Sequence, residues 1–170
     1  MNRLLALLLM LWCSWAGAQA AVADSPAPLV NPSIDEMVRA LTPTAATRSL
    51  GRRNLTVAPP RLDLVVNFDF DSARLQAPSK PLLDRLAMAM NAEALSGLRF
   101  AIEGHTDAVG TASYNERLSA QRAQTVLQWL VSRGVPAGRL ESEGKGFREL
   151  LASDDPLSPR NRRVRVRLLE

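Results

Sequence analysis

From Arg61 onward, apolar and polar residues alternate in four stretches of the chain. A period of two places the apolar side chains on one face of a β-strand. The four predicted strands are RLDLVVNFDF (61–70), LRFAIEG (98–104), RLESEG (139–144) and RRVRVRLL (162–169). The arginines that alternate with Val and Leu in the last stretch are expected to form a solvent-exposed face and to protect an edge strand from aggregation.

Two stretches between the predicted strands have apolar residues at the spacing of a helix, about 3.6 residues per turn. In the first, the candidate cap is Ser79 and the apolar residues are Leu82, Leu83, Leu86, Ala87 and Met90. In the second, SYNERLSAQRAQTVLQWLVSRG (113–134), they are Leu118, Ala123, Val126, Leu127 and Leu130. Gly134 is expected to end this helix, and Pro136 prevents its continuation.

The order strand, helix, strand, helix, strand, loop, strand predicts an α+β fold. In this fold a four-stranded sheet is covered on one face by two main helices. Right-handed crossovers through the two helices favour parallel directions for the first three strands. The length of 170 residues and the hydrophobic fraction of 46% suffice for one core. One folded domain, residues 61–170, is therefore predicted.

Residues 1–20 have the pattern of a secretory signal peptide. A basic residue precedes an apolar run (4–12), and AQA (18–20) is a cleavage motif of small residues. The apolar stretch is shorter than the roughly 20 residues that cross a bilayer, so we expect no transmembrane span in the mature chain. Lipidation at Cys13 is the alternative, but the bulky Trp12 before it argues against that processing. Cleavage would remove the only cysteine, which excludes disulfides and thiol–metal sites.

Residues 21–60 are predicted to be a flexible leader, because small residues, prolines and arginines occur there without apolar periodicity. One short amphipathic helix is expected at about 33–41. Ser33 is its candidate N-cap, acidic residues occupy its first turn, and Pro43 ends it. The pattern does not indicate where this helix packs.

The charge of the chain narrows the choice of partner. With 21 basic and 17 acidic residues the formal net charge is +4, and the pI is near 10.2. Such a surplus attracts nucleic acids, anionic polymers or membrane surfaces. Because a secreted protein does not meet nucleic acid, an anionic polymer or lipid of the cell envelope is the expected partner.

Polar residues gather in IEGHTDAVGTASYNERLSAQRA (102–123), between the second strand and the second helix. Asp107 and Gly110 lie in the predicted loop, Asn115 lies near the first helical turn, and Arg122 flanks the buried stripe. A fixed carboxylate and a fixed guanidinium on adjoining rims suit a zwitterion. Asp107 would hold an ammonium while Arg122 grips a carboxylate.

Each of these residues also has a purely structural interpretation. Asp107 and Arg122 could pair with each other, and Asn115 could cap the helix. His105 is the only histidine, so it cannot build a His-rich site and is expected to bond the turn backbone. The aspartates of FDFD (68–71) lack further carboxylates and are weak evidence for calcium. An enzyme would need an activated nucleophile, a zinc site or a paired acid and base. The sequence has one histidine, no cysteine after the predicted cleavage and no HExxH motif. No metal, cofactor or catalytic residue is therefore predicted.

Four stretches together resemble the OmpA-like C-terminal domain, a peptidoglycan-binding module of bacterial envelopes. They are FDFDSARL (68–75), IEGHTDAVGTASYNERLSAQRAQTVLQWLVSRGV (102–135), RLESEGKG (139–146) and NRRVRV (161–166). The resemblance spans about residues 61–169. The motif GHTDxxGxxxYNxxLSxxRA is matched throughout from Gly104 to Ala123, which is far stronger evidence than a lone short motif.

The resemblance implies a mixed four-stranded sheet with two helices, and noncovalent recognition of diaminopimelate in the stem peptide of peptidoglycan. In this family the aspartate of GHTD and the arginine of LSxxRA hold the two ends of that amino acid group; here these are Asp107 and Arg122. The lesser contacts that it implies are Asn115, Phe70, Asp71 and Ser72. The residues that it assigns to the pocket wall or to structure are Thr106, Gly110, Leu118, Arg162 and Arg163.

Two departures from the family pattern concern the far wall of that pocket. GKGF (144–147) stands where the family has GYGE, and DPLSPRNRRV (155–164) lacks a Gly-Arg pair before NRRV. The sequence therefore predicts a noncatalytic periplasmic protein of a Gram-negative bacterium, associated with the cell wall or outer membrane, that tethers itself or an envelope partner to peptidoglycan. The alternative is an envelope adaptor that acts through its N-terminal segment on a protein or lipid.

Overall fold

The computed structural model describes residues 27–43 and 58–169. The predicted signal peptide (1–20), with its cysteine, and residues 21–26 and 44–57 of the predicted leader lie outside the described residues. Within the described ranges, no helix combines the length and the apolar character that crossing a membrane requires.

Four strands form one mixed sheet, which confirms the predicted architecture. They are β1 (Arg61–Leu64), β2 (Arg99–His105), β3 (Leu140–Gly146) and β4 (Val164–Leu169). Their order across the sheet is β1-β4-β2-β3. Because β4 runs antiparallel to both β1 and β2, those two strands point the same way, and β2 pairs in parallel with β3.

Three α-helices pack in the described part of the chain: α1 (Ile34–Leu41), α2 (Lys80–Asn91) and α3 (Ala112–Ser132). The two main helices, α2 and α3, cover one face of the sheet as predicted, and α1 packs against α2 and β1. Apolar side chains from both layers form the core. Its buried members include Leu83, Leu86, Met90, Phe100, Ile102, Val126, Leu130, Val164 and Val166.

Two glycines allow α3 to lie unusually close to the sheet. A Cβ on Gly104 would lie 2.2 Å from the backbone oxygen of Ser119, and one on Gly144 would lie 2.6 Å from the backbone nitrogen of Ala120. Interiors are close-packed, so a side chain at either position would push α3 away from β2 and β3. The first glycine of the GHTD motif thus sets the distance between the strand and the helix that carry the motif's two charges.

The helix α1 packs on the domain, which its pattern alone did not indicate. Ser33 and Glu36 form a capping box, in which Ser33 N–H donates to Glu36 Oε2 at 2.7 Å and Ser33 Oγ accepts from Glu36 N–H at 3.3 Å. Met37 and Leu41 are fully buried in the core. Upstream of the helix, Leu29 forms a parallel bridge to the end of β1.

The first strand is shorter than predicted, because β1 ends at Leu64. A loop follows, in which Phe68 forms an isolated bridge to Leu75. Ser79 occupies the N-cap position of α2, as predicted, but its hydroxyl makes no capping bond and instead accepts a hydrogen bond from the backbone N–H of Asn67 at 2.7 Å. This bond ties the loop after β1 to the start of α2.

The arginines of the last stretch do not form an exposed edge, so that prediction is wrong. β4 is an inner strand, and Arg163 and Arg165 are only 3% and 6% exposed. The Nε atoms of both donate to Asp63 Oδ1 at 2.9 Å. Arg167 Nε donates to Glu103 Oε1 at 2.7 Å. Buried guanidinium groups are tolerated here because each has a carboxylate partner.

Candidate binding site

An open pocket of about 720 Å³ lies at the end of the sheet where β2 leads into α3. Its walls come from the loop after β1, the loop after β2, the first half of α3 and the segment just before β4. The predicted site residues that line it are Phe70, Asp71, Thr106, Asp107, Asn115, Leu118, Arg122 and Arg162. Chain segments distant in sequence thus bring most of the predicted site together.

Asp107 begins the loop that follows β2, and its carboxylate is largely enclosed. The residue is 9% exposed. Its Oδ1 accepts a hydrogen bond from Val109 N–H at 3.2 Å, which fixes the carboxylate to its own loop. Its Oδ2 accepts from Arg162 Nη1 at 2.8 Å. The loop itself is held by Ala108 N–H, which donates to the Pro156 carbonyl at 3.0 Å.

Arg122 projects from the third turn of α3 and is held by its stem end. Its Nε donates to the carbonyl of Ser72 at 2.9 Å, and its guanidinium carbon lies 5.0 Å from the ring centre of Phe68. Among the described residues, no hydrogen bond or ion pair engages its two Nη atoms. These two parallel donors remain for the end-on grip of a carboxylate.

The electrostatic environment of Arg122 favours an added carboxylate. Burial, followed by the charge of Arg162, lowers the pKa of the Arg122 guanidinium below its ordinary value, while Asp107 and Asp71 oppose that shift. The positive charge is thus partly removed from water without a carboxylate bonded to it. A bound carboxylate would supply that missing partner.

The ion pairs of the described residues do not join Asp107 to Arg122; Asp107 is paired with Arg162 instead. The structural alternative, in which the two motif charges neutralise each other, is therefore not what the structure has. Both charges line one cavity from different elements, Asp107 from the loop after β2 and Arg122 from α3.

Asn115 shapes the loop rather than capping the helix. The N-cap of α3 is Thr111, whose Oγ1 accepts from Tyr114 N–H at 3.3 Å. The Asn115 side chain is buried, and its Nδ2 donates to the carbonyls of Val109 at 2.7 Å and Thr111 at 3.2 Å. These bonds fold the loop back on the helix and so position the carboxylate of Asp107.

The loop after β1 supplies the opposite wall. Asp71 has a positive φ of 50°, and its Oδ1 accepts a hydrogen bond from the Tyr114 hydroxyl. The neighbouring Phe70 side chain is 99% exposed at the rim. Ser72 does not line the pocket, but its carbonyl holds Arg122 and its Oγ accepts from Arg74 N–H at 3.0 Å.

The remaining predicted residues separate into wall and scaffold. Thr106 lines the pocket, and its buried hydroxyl has no partner among the described residues. Gly110 is not a lining residue, but its φ of +91° lets the loop turn towards α3. Arg162 is at the pocket, whereas Arg163 is buried beneath the sheet with Asp63. The NRRV motif thus has one arginine for each role.

Sequence reasoning missed part of the apolar wall. The additional lining residues include Val65, Phe68, Val109, Tyr114 and Pro159. Tyr114 is part of the quoted YNxxLS motif, and Phe68 is part of FDFDSARL, so both could have been named from the motifs. Nothing in the local pattern marks Pro159, because it reaches the pocket only through the tertiary fold.

His105 does not bond the turn backbone and lies outside this pocket. The residue is 2% exposed, and neither ring nitrogen has a hydrogen-bond partner among the described residues. Burial lowers its pKa, with the neighbouring charges of Arg163 and Arg165 acting in the same direction. Its ring could join Glu103 and Glu149 as a metal ligand set. Arginine side chains already hold both carboxylates, which disfavours a further cation there.

The fold and the pocket define an α+β domain with a mixed-charge pocket at one end of its sheet. Residues 67–164, more than half of the chain, match the OmpA family. The chain therefore belongs to the OmpA family.

Individual relatives match over the same region. The chain is 36% identical over 118 residues to outer membrane protein A of Bordetella avium, a match that covers 66% of this chain and 60% of that protein. It is 39% identical over 99 residues to the peptidoglycan-associated lipoprotein of Rhizobium meliloti (strain 1021), covering 57% of this chain and 55% of that protein. The chain thus spans 60% or less of the length of these relatives.

A solved structure of the same class shares the fold. The crystal structure of the peptidoglycan-associated lipoprotein from Burkholderia pseudomallei superposes with a TM-score of 0.52 at 30% identity. The superposition covers 61% of this chain and 88% of that chain.

Proposed function

We propose that this protein binds peptidoglycan noncovalently through the diaminopimelate group of its stem peptide and so tethers itself, or a partner, to the cell wall. One observation carries the proposal: Asp107 and Arg122 line the same open pocket without pairing with each other. The ammonium of the ligand's amino acid group would bond the Asp107 carboxylate, and its carboxylate would take the two Nη atoms of Arg122.

The pocket suits such a group in shape as well as in charge. Its apolar wall, with Val65, Phe68 and Leu118, fits the methylene chain that connects the two ends of diaminopimelate. Pockets that combine an apolar lining with a few fixed polar groups are the usual sites for small ligands. The named relatives support the proposal, since two of them are peptidoglycan-associated lipoproteins.

The chemistry of the pocket favours binding without catalysis. Arg162 and the backbone N–H of Val109 already donate hydrogen bonds to the two oxygens of the Asp107 carboxylate. The single histidine is buried outside the pocket. Without an activated nucleophile or a base poised to take a proton, hydrolysis of the wall has no evident route.

Affinity at one stem peptide is expected to be modest, because one small group offers few contacts against the entropic cost of association. Peptidoglycan repeats the group many times, so residence on the polymer rises through effective concentration.

The proposed location is the periplasm of a Gram-negative bacterium, at the cell wall or outer membrane. An adaptor role for α1 has less support, because its apolar residues Met37 and Leu41 are buried against the domain.

The test is cosedimentation with purified peptidoglycan. We expect Asp107→Asn and Arg122→Gln each to lose most pelleting, about tenfold or more in affinity, because each removes one charge-assisted contact. The matched controls are Asp154→Asn and Arg117→Gln, which make the same charge changes at exposed positions that do not line the pocket. Melting curves of all four variants check that the domain remains folded. Equal pelleting of the pocket variants and the wild type would refute the assignment, and release of soluble fragments from the polymer would indicate an enzyme instead.

A further inference from the structure

Arg162 is bonded to the Asp107 carboxylate, the group that the proposed function assigns to the ligand's ammonium. Its Nη1 donates to Asp107 Oδ2 at 2.8 Å, and this is the only ion pair of Asp107 among the described residues. The residue follows a short 3-10 turn, Pro159–Asn161, at the rim of the pocket. An ammonium that arrives at Asp107 therefore meets a guanidinium already bound there.

The two pocket arginines differ in how firmly they are held. The Arg122 side chain is fixed by Ser72 and stacked on Phe68. The Arg162 side chain is 50% exposed, and its guanidinium makes one described contact, the bond to Asp107. Water competes for an exposed guanidinium, so the Arg162 end of this pair is weakly held, whereas the enclosed Asp107 carboxylate needs a cation beside it. Arg162 can therefore leave Asp107 at small cost when a ligand ammonium takes its place there and Arg162 finds another partner or water.

The charges around the pocket indicate what that partner is. Arg122 and Arg162 line the same pocket, and the charge of Arg162 adds to the effect of burial in lowering the pKa of Arg122, so the two cations repel each other. A ligand's ammonium at Asp107 would add a third positive charge. The ligand carboxylate at Arg122 offsets this charge, but Arg162 is left without an acceptor, because the Asp71 carboxylate that also lines the pocket is already bonded to the Tyr114 hydroxyl. A second carboxylate next to the zwitterionic group would relieve the repulsion and give Arg162 a new acceptor.

We infer that Arg162 is a specificity-determining residue, which blocks Asp107 in the empty pocket and moves to a second ligand carboxylate when the site fills. The inference rests on the proposed function and deepens it. The ligand class is a peptide with one ammonium, the carboxylate of the same amino acid group, and a further free carboxylate nearby. Stem peptides offer such carboxylates at the γ-linked glutamate and at the C-terminus, and amidation removes them.

The experiment measures binding of two synthetic tetrapeptides by calorimetry at one ionic strength. Both carry diaminopimelate with its free ammonium and carboxylate; in one the remaining carboxylates are free, and in the other they are amidated. Each peptide is titrated into the wild type, Arg162→Gln and Arg160→Gln. The last variant is the matched control, because Arg160 is exposed, two residues away, and not a lining residue.

We expect the wild type to prefer the free peptide about tenfold, the value of one charge-assisted contact. Arg162→Gln should reduce that preference below about threefold and bind the amidated peptide at least as tightly as the wild type does, because Asp107 is no longer blocked. Arg160→Gln should keep the wild-type preference, which excludes a general effect of net charge.

The inference is overturned if the wild type binds both peptides equally, or if Arg162→Gln keeps an undiminished preference. Equal weakening of both peptides in Arg162→Gln would make Arg162 an ordinary contact and would overturn it too. If wild-type binding depends on Asp107 but ignores amidation, only this inference fails. If neither peptide binds the wild type, the proposed function fails with it.

Discussion

Two regions of this domain are built from arginine and acidic residues, yet they differ in how their charges are satisfied. On the face of the sheet away from α2 and α3, Arg163 and Arg165 are nearly buried, and both are bonded to the buried Asp63. In the pocket, Arg122 keeps two donor atoms without described partners, and Asp107 is held by a half-exposed arginine. We call the first the closed region, because carboxylates already pair with its arginines, and the second the open region, because its donors without described partners would take the proposed ligand.

The difference follows from where the charged residues are mounted. Asp63 on β1 stands directly opposite Arg165 on β4, and Glu103 on β2 stands opposite Arg165 from the other side. Strand register thus brings opposite charges into contact on one face. Asp107 and Arg122 lie instead on a loop and a helix, and the packing of α3 on β2 keeps them apart. Charges on adjacent strands stabilise this fold, whereas charges on separate elements remain for the proposed ligand.

The largest expected effect comes from breaking the closed region. Asp63→Ala would leave two buried guanidinium groups without their shared carboxylate, so we expect the free energy of unfolding to fall by about 3–5 kcal/mol. Urea denaturation followed by circular dichroism measures this loss. The control is Asp69→Ala, which breaks the exposed pair with Arg74 and should cost about 1 kcal/mol or less. A loss below about 1 kcal/mol for Asp63→Ala would show that the sheet charges are not a structural unit.

The second effect depends on pH. Burial alone would raise the pKa of Glu103, but the His105 ring, 3.9 Å away, and the bonded guanidinium of Arg167 outweigh burial and hold that pKa at about 2, below its ordinary value of 4.5. A depressed acid pKa adds stability above pH 4.5, and that contribution disappears as the pH falls from 4.5 towards 2. Glu103→Gln should therefore be less stable than the wild type by about 1.5–3 kcal/mol at pH 7, with the difference shrinking towards pH 2.

Urea unfolding of both proteins across that range tests the pH effect, since titration of the other carboxylates is common to both. Glu141→Gln is the matched control, because Glu141 on β3 forms an exposed ion pair with Arg99 on β2. It should show a small difference at every pH. A difference for Glu103→Gln that stays constant from pH 7 to pH 2 would contradict the buried bond to Arg167.

The fold could be predicted from periodicity because apolar alternation and helical spacing are local signals. The four strands and the two main helices follow from them. The position of β4 between β1 and β2 could not be predicted, because strand order depends on contacts between residues distant in sequence. That one unknown reversed the interpretation of Arg163 and Arg165, which have the alternating pattern of an exposed face but acquire Asp63 as a buried partner.

The residues of the candidate site could be predicted from the sequence, but their geometry could not. The motif names Asp107 and Arg122, and chemistry assigns them opposite ends of a zwitterion. Whether they pair with each other was open, because the answer depends on the spacing of α3 from β2, which Gly104 sets through its missing Cβ. The bond from Arg162 to Asp107 joins residues 55 positions apart, so no local pattern could indicate it.

The smallest expected effect on stability comes from the pocket itself. Arg122→Met removes a partly buried charge that has no carboxylate bonded to it, and the flexible methionine can still pack on Phe68. We expect the free energy of unfolding to change by less than about 1 kcal/mol, because an apolar replacement of such a charge is often neutral. Peptidoglycan pelleting should nevertheless be lost.

The matched control is the same substitution in the closed region, Arg165→Met, which removes bonds to Asp63 and Glu149. We expect it to lower the free energy of unfolding by about 1.5–3 kcal/mol, while the protein that remains folded still pellets. If Arg122→Met were as costly as Arg165→Met, then Arg122 would be a structural residue, and the distinction between the closed and the open region would not hold.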